Sequence, residues 1–302
     1  MCGIFFVKNT NINQSELETH NEKVFKEFDK AKNRGGIPPD DTKFYNLGEY
    51  YLGFHRLSIN GLNTESNQPF IKNDVYVICN GEIYNYKELY NHIGIKPDTS
   101  SDCEIIIDLY NLYPVDYFIN MLDGVFSFII YDKRKNVITI GRDPFGVRPL
   151  FCTTDYNYFS SEMKQINFLT SLEIIQFPPG HYLQINNKQS DYFKKYKLVK
   201  YHTLSQFYHP PCLQFKNFGD EENYYKSLVK NTLINAVRKR LLSDRPIACL
   251  LSGGLDSSLI TSIVVQLLKE NGNYGNKLET YSIGLPGSTD LKYAKKVADY
   301  LD

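Results

Sequence analysis

The sequence predicts two domains of different class: an α+β domain of two packed antiparallel sheets flanked by helices, then the start of a parallel-sheet α/β domain. Three observations carry this. Between Phe44 and Gln184 the chain breaks into short β-rich runs separated by Gly, Asn, Asp and Pro. Beyond residue 220 the pattern becomes helix, strand, helix, strand, helix, the alternation of a parallel sheet. The 302 residues are enough for two domains.

In chain order, Ile4 to Val7 reads as a short buried strand. Leu17, Val24, Phe25, Phe28 and Ala31 recur near helical spacing, predicting a helix from Ser15 to Lys32. Ser15 is placed to cap it, with Glu18 completing a capping box. The stretch NRGGIPPDD ends it, because Gly and two prolines forbid continuation. Strands are predicted at 51–54, 75–79, 125–131, 137–141 and 158–159. A helix from Asp102 to Tyr113 carries Ile106, Leu109 and Tyr110 on one face. This first domain is assigned residues 2–190, and the polar and aromatic residues 191–220 are read as a connection.

The second domain is assigned residues 221–302. A helix over 221–242 would bury Tyr225, Leu228, Leu233, Val237 and Leu241. A strand at 247–251, a helix at 257–270, a strand at 278–284 and a helix from Asp290 follow. This is thin for a sheet that needs helices on both faces, so the chain is expected to be a truncated version of something longer.

Composition narrows the function. Hydrophobic content of 42% and charged content of 23% are those of an ordinary soluble protein. Basic and acidic side chains balance at 34 each, which argues against a nucleic-acid or anionic-membrane partner. Apolar stretches such as Ile260 to Leu268 are too short to span a bilayer, and residues 1–8 lack the form of a signal peptide, so a cytoplasmic location is expected. The six cysteines are scattered, with no CxxC and no His at metal-ligand spacing. Reduced thiols are expected rather than a disulfide framework or zinc site.

Two stretches point to chemistry. In MCGIF, removal of Met1 would make Cys2 the first residue. A thiol is nucleophilic mainly as the thiolate, and an α-amine titrates near ~7.7–8.0, so an N-terminal cysteine carries its own proton acceptor. No partner histidine is then required, and His55 is read as structural. The plain alternative for Cys2 is a small residue beginning a strand. In LLSGGLDSS, Leu250 to Ser258, a strand meets two glycines and a helix start. Backbone N–H groups there, with the hydroxyls of Ser252, Ser257 and Ser258, can bind phosphate oxygens. The Lys-containing GxxxxGK[ST] loop is absent. A plain strand-to-helix turn capped by Asp or Ser is the alternative.

Several segments, taken in order, resemble the class II glutamine amidotransferases: CGIF, HRLSI (55–59), NGEIYN (80–85), SDCE (101–104), GRDPFGVRPL (141–150) and SSEMK (160–164). With the SGGxDS loop after them, the chain resembles the asparagine synthetases of the glutamine-hydrolysing type. That resemblance implies an N-terminal nucleophile fold, a four-layer αββα sandwich, followed by a Rossmann-like ATP-pyrophosphatase domain. It implies Cys2 as nucleophile, with Asn80 and Gly81 as the oxyanion hole. It implies a glutamine pocket of Arg56, Leu57, Ile59, Asn80, Gly81, Glu82 and Asp102, in which Arg56 holds the carboxylate and Asp102 and Glu82 receive the ammonium. The ATP site would comprise Leu250, Ser252, Gly253, Gly254, Asp256, Ser257, Ser258 and Ile283. The implied small molecules are glutamine, aspartate and ATP with Mg2+, and a homodimer is an open expectation. The implied reaction adenylates aspartate, releases pyrophosphate, and lets ammonia carried inside the protein displace AMP.

Taken without the resemblance, Asn80-Gly81 also fits a hairpin turn, Asp102 a helix N-terminus and Glu82 a solvated surface. Arg142, Asp143 and Arg148 are read as a shaped turn held by ion pairs, not as catalytic groups. One departure stands out: Asn33 occupies a position where the family commonly has His, and an insertion displaces Asp40. This loop often covers bound glutamine, so the departure bears on lid closure. Two other readings stay open: a different amidotransferase or a β-lactam-forming relative built from the same two halves, with Cys2 arguing against the β-lactam former, and a non-catalytic partner or regulatory remnant.

Overall fold

The computed structural model divides into two compact units, Met1–His209 and Pro210–Asp302. The residues described are 2–9, 17–37, 40–190, 195–203, 218–270, 272 and 278–302.

The first unit holds β1 (Gly3–Lys8), α1 (Leu17–Asp29), β2 (Asp41–Asn46), β3 (Tyr50–Arg56), β4 (Phe70–Lys72) and β5 (Val75–Ile83). Then come α2 (Tyr86–Ile93), α3 (Ile105–Leu112), α4 (Val115–Phe118), β6 (Gly124–Asp132), β7 (Val137–Arg142) and β8 (Phe151–Thr153). β9 (Tyr158–Ser160), β10 (Ile174–Gln176), β11 (His181–Asn186) and β12 (Tyr196–Lys200) complete it. Two six-stranded sheets form, in the orders β10-β8-β9-β1-β3-β2 and β12-β11-β7-β6-β5-β4. Pairing within both is antiparallel, for example Ile4 opposite Phe54 and Asn80 opposite Ser127.

Side-chain alternation turns these sheets into four layers. Successive strand residues face opposite sides. Ile4, Phe6, Leu52 and Phe54 of the first sheet meet Ile78, Ile129, Ile138, Ile140 and Leu183 of the second in a core between the sheets. The intervening Phe5, Val7 and Tyr51 face outward and pack with Val24 and Phe28 of α1. On the other side, Val77, Cys79, Phe126, Phe128 and Ile130 pack with Ile105, Ile106, Leu109 and Phe118 of the helices α3 and α4. The order helix, sheet, sheet, helix is the αββα sandwich implied by the motifs.

The strands predicted in the first unit all form, with one or more residues added at an end, whereas those predicted at 247–251 and 278–284 shorten to Ala248–Leu250 and Glu279–Tyr281; β5 gains four residues and so carries Asn80 and Gly81 inside the strand, not in a hairpin turn. The short strands β4, β8 and β10 escape a period-two reading because each has only three residues. The assignment of 191–220 to a connection needs correction: Tyr196–Lys200 pairs with β11 and forms the edge of the second sheet. Ser15 and its capping box lie outside the described residues. The helix expected from Asp102 starts as a 3-10 turn, Asp102–Glu104, with the Ser101 hydroxyl accepting from the Cys103 N–H at 3.4 Å.

The second unit contains α5 (Phe218–Arg240), β13 (Ala248–Leu250), α6 (Leu255–Glu270), β14 (Glu279–Tyr281) and α7 (Thr289–Leu301). β13 and β14 pair in parallel. Val237, Ile263, Val264 and Leu267 form its small core. Among the described residues no helix is long and apolar enough to cross a membrane.

One glycine fixes how closely α1 approaches the first sheet. A Cβ on Gly53 would lie 2.5 Å from the Phe28 ring. That ring is already stacked on His55 with centroids 4.0 Å apart. Gly53→Ala is therefore expected to destabilise the first unit by ~1–3 kcal/mol through overpacking. Urea unfolding monitored by tyrosine fluorescence measures this, with the midpoint moving down.

Candidate active site

The same alternation that builds the core also gathers polar residues at one end of it. Cys2 precedes β1 in the phase of Ile4 and Phe6. Arg56 ends β3 in the phase of Leu52 and Phe54, and Asn80 and Glu82 follow Ile78 along β5. Each therefore projects to the inter-sheet side, where the strands run out of apolar residues. A pocket of about 30 Å³ opens there. Cys2, Arg56, Leu57, Ile59, Asn80, Gly81, Glu82 and Asp102 all line it, together with Asn60, Ser101 and Arg148. The eight residues that the motifs assign to nucleophile, oxyanion hole and glutamine pocket thus meet in one place, although they come from four separated segments.

Cys2 is half-buried, and its Sγ lies 3.4 Å from both the N–H and the carbonyl of Leu57. Burial pushes the thiol pKa above its ordinary value, against the lowering effect of the Leu57 backbone contact. The thiol therefore needs a proton acceptor to act as a nucleophile at neutral pH. Arg34 fixes the backbone beside it, donating from Nε to the Cys2 carbonyl at 2.8 Å while Nη1 pairs with Glu162 at 3.3 Å.

Asn80 is 1% exposed, and its Nδ2 has no hydrogen-bond partner among the described residues. A buried, unspent donor is costly unless something arrives to accept from it. Gly81 has a packing reason as well: a Cβ there would come within 2.6 Å of the Val125 carbonyl oxygen and 2.8 Å of the Phe126 Cα. Backbone cannot yield at such distances, so only glycine lets β5 and β6 approach this closely.

The charged groups are held tightly. Arg56 donates to the carbonyl of Asn63 at 2.9 Å, and also to the Gly61 carbonyl and the Asn67 side chain. Asp102 is 5% exposed, and its Oδ2 accepts from the Ile83 N–H at 2.7 Å. Burial lifts its pKa to about 6, with the Glu82 charge adding and the Ile83 hydrogen bond opposing. Glu82 is not a solvated surface residue: its Oε1 pairs with Arg148 Nη2 at 2.5 Å.

Sequence reasoning missed Arg148 as a pocket residue. The turn it belongs to is held differently from the expected ion pairs. The Asp143 carboxylate accepts from the backbone N–H groups of Phe126, Phe145, Val147 and Arg148. Arg142 donates to the carbonyls of Gly146, Arg148 and Phe177. These charge-to-backbone bonds shape the loop and leave the Arg148 side chain directed at Glu82. Asp40, displaced in sequence, still binds this region: its carboxylate accepts from the N–H and hydroxyl of Ser58, each at 2.7 Å. His55 is fully buried between Thr42 and the Phe28 carbonyl, at 3.1 Å from each, away from the pocket lining.

In the second unit, the residues assigned to ATP surround the carboxyl ends of β13 and β14. Leu250 ends β13, and Leu251 N–H bonds the Tyr281 carbonyl at 2.8 Å, drawing the two strand ends together. Gly253 has φ +80°, and a Cβ there would lie 2.4 Å from the Ala294 nitrogen. α6 begins at Leu255, slightly earlier than the sequence suggests, so Gly254, Asp256, Ser257 and Ser258 sit at its amino end. Ser252 and Ser257 hydroxyls are 2.9 Å apart, and Ser258 donates to the Gly254 carbonyl at 2.7 Å. Leu250 and Ile283 are exposed, 84% and 98%. Among the described residues no cluster of His, Cys, Asp or Glu could hold a metal ion.

This sandwich places a thiol and an uncommitted amide donor together in its end pocket. The glutamine amidotransferase domain family matches residues 1–174, and the chain belongs to that family. Its second unit is similar to asparagine synthase, whose family matches residues 228–302. The curated relatives are glutamine-hydrolysing asparagine synthetases, as the motif resemblance implies. Asparagine synthetase 1 of Arabidopsis thaliana is 36% identical over 100% of this chain and 49% of its own length. The Gallus gallus and Homo sapiens enzymes are 38% and 36% identical over 90% of this chain and 51% of theirs. The chain thus spans about half the length of the curated relatives it matches. A solved glutamine phosphoribosylpyrophosphate amidotransferase from B. subtilis aligns at TM-score 0.48 and 17% identity, covering 67% of this chain and 50% of that one.

Gly81→Ala tests the close packing of β5 against β6. It is expected to separate the two strands locally and lower the thermal midpoint, and, if the Gly81 N–H is an oxyanion donor, to reduce glutamine hydrolysis by ~10²-fold or more. Thermal scans and glutamate release measure the two effects.

Proposed function

We propose that the first unit hydrolyses glutamine and that the ammonia serves to convert aspartate into asparagine. The observation that carries the first part is the meeting of Cys2, Arg56, Asn80, Glu82 and Asp102 in one pocket, with the Asn80 amide donor unspent.

With Met1 removed, the Cys2 amine accepts the thiol proton, directly or through a water. The sulfur attacks the side-chain carbonyl carbon of glutamine. Negative charge develops on the carbonyl oxygen, where Asn80 Nδ2–H and the Gly81 backbone N–H stabilise it. The C–N bond breaks, the amine returns its proton to the leaving nitrogen, and ammonia departs. Water then cleaves the glutamyl thioester to glutamate and restores the thiol. Arg56 takes the substrate α-carboxylate, and Asp102 with Glu82 takes the α-ammonium. Glu82 keeps its second carboxylate oxygen for this while Arg148 holds the first. A 30 Å³ pocket has room for about one water, so glutamine enters as the walls part.

The synthetase reaction rests on the relatives and on the loop at the carboxyl ends of β13 and β14. ATP would adenylate the aspartate side-chain carboxylate with release of pyrophosphate, and ammonia would displace AMP. The amino end of α6 and the hydroxyls of Ser252, Ser257 and Ser258 suit the phosphates. Mg2+ would come with the nucleotide, and Asp256 is the carboxylate of that loop able to meet it, since Mg2+ needs only one or two protein carboxylates beside phosphates and water.

Three outcomes test the reading. Cys2→Ala is expected to cut glutamate release by ~10³-fold or more, because no other residue forms the thioester. Undiminished release would exclude the thiol mechanism. Active protein is expected to begin with Cys2 by mass spectrometry, since retained Met1 blocks the amine. The third outcome concerns pH. Only ionised Asp102 attracts an ammonium, so KM for glutamine should rise as pH falls through about 6. Steady-state glutaminase assays between pH 5 and 8 would show it, and Asp102→Asn should flatten the profile.

A further inference from the structure

A second cluster of charges lies behind the pocket, on the face of the second sheet turned away from Cys2. Lys72, the last residue of β4, directs its Nζ to three carboxylates, each at 2.9 Å: Asp98 Oδ2, Glu104 Oε1 and Asp108 Oδ1. Asp108 also accepts from the Tyr90 hydroxyl at 3.1 Å. Glu104 is 1% exposed and holds the preceding loop, accepting from the Thr99 N–H at 2.8 Å, the Thr99 hydroxyl at 2.7 Å and the Asp98 N–H at 3.2 Å. Glu104 and Asp102 belong to the same 3-10 turn.

Three carboxylates this close to one another repel unless a cation lies among them, and a buried one left uncompensated is expensive. Lys72 supplies that cation. Without it, Glu104 would be a buried carboxylate with no cation beside it, and the cost of that loosens its grip on Asp98 and Thr99. The turn that ends in Glu104 also presents Asp102, whose carboxylate must stay aligned with the Ile83 N–H and the pocket. Nothing in the sequence around Lys72 marks it; only the fold brings an edge strand to this loop.

We propose that Lys72 is a positioning residue for glutamine recognition, holding the 98–104 loop in the form that presents Asp102 to the substrate α-ammonium. This rests on the reading in which Asp102 receives that ammonium. The role acts on one end of the substrate only, which separates it from general structural support.

The test compares glutamine with 4-carbamoylbutanoate, which keeps the amide and carboxylate but lacks the amino group. In the glutaminase assay, Lys72→Met is expected to raise KM for glutamine about tenfold with kcat within about twofold. Its kcat/KM for 4-carbamoylbutanoate should match that of the unmodified protein, and Lys72→Arg should restore most of the glutamine KM. Asp102→Asn is the control for the underlying reading, and should discriminate between the two substrates in the same sense. If Asp102→Asn discriminates and Lys72→Met impairs both substrates equally, or neither, the positioning role is wrong. If Asp102→Asn does not discriminate, the ammonium assignment fails and the proposal falls with it. Should Lys72→Met not fold, Asp98→Asn removes one partner at the exposed edge of the cluster. It is expected to shift the glutamine KM by about two- to threefold in the same direction, and no shift would overturn the proposal.

Discussion

Everything in the first unit depends on the two-residue period of its strands and on the register that fixes it. In β1, β3 and β5 the inward phase carries Ile4, Phe6, Leu52, Phe54 and Ile78 into the core, then Cys2, Arg56 and Asn80 into the pocket. A slip of one residue in any of these strands would turn its apolar residues away from the core and its functional residue out of the pocket. Burial of the core therefore pays for the placement of the chemistry. Each buried Ile or Phe contributes ~1.5–3 kcal/mol towards the correct phase, whereas a lone buried polar group works against it.

The polar residues at the end of the sandwich are stabilised by charge meeting backbone more than by charge meeting charge. Asp143 gathers four N–H groups, Arg142 three carbonyls, and Arg34 the carbonyl of Cys2. Such bonds fix loops rigidly in a site that water largely leaves, and they are roughly twice as strong as neutral ones. Within this background Asn80 Nδ2, Arg148 Nε and Arg34 Nη2 are buried donors with no acceptor among the described residues, and Asn80 Nδ2 is the one carried on the β5 strand. Rigid surroundings and an uncommitted amide donor are what an oxyanion needs: the field is in place before the charge develops.

The sequence made legible what repeats or stands alone. The period-two runs of β5, β6 and β7, the apolar stripe of α1 and the glycine loop before α6 could all be read directly. The pocket residues were readable through the resemblance of their segments to a known family; taken alone, Asn80-Gly81 reads as a hairpin turn and Glu82 as a surface residue. What escaped was non-local. A three-residue strand such as β4 has no period to detect, and β12 is polar because it lies at a sheet edge. Arg148 looked like part of a turn because the turn is local, whereas its partner Glu82 is 66 residues away. Asp40 looked displaced by an insertion, yet the extra residues leave its carboxylate on Ser58. In each case the deciding contact joins segments that only the folded sheet order brings together.

The central claim is that one pocket grips glutamine at both charged ends while Cys2 attacks between them. The most direct measurement is a crystal structure of the protein, freed of Met1, after reaction with a glutamine analogue bearing a diazoketone in place of the amide. The account predicts a covalent bond to Cys2 Sγ, the analogue carbonyl oxygen between Asn80 Nδ2 and Gly81 N, its carboxylate on Arg56 and its ammonium on Asp102. Attachment to a different cysteine, or a Cys2 adduct whose ammonium and carboxylate lie away from Asp102 and Arg56, would contradict it.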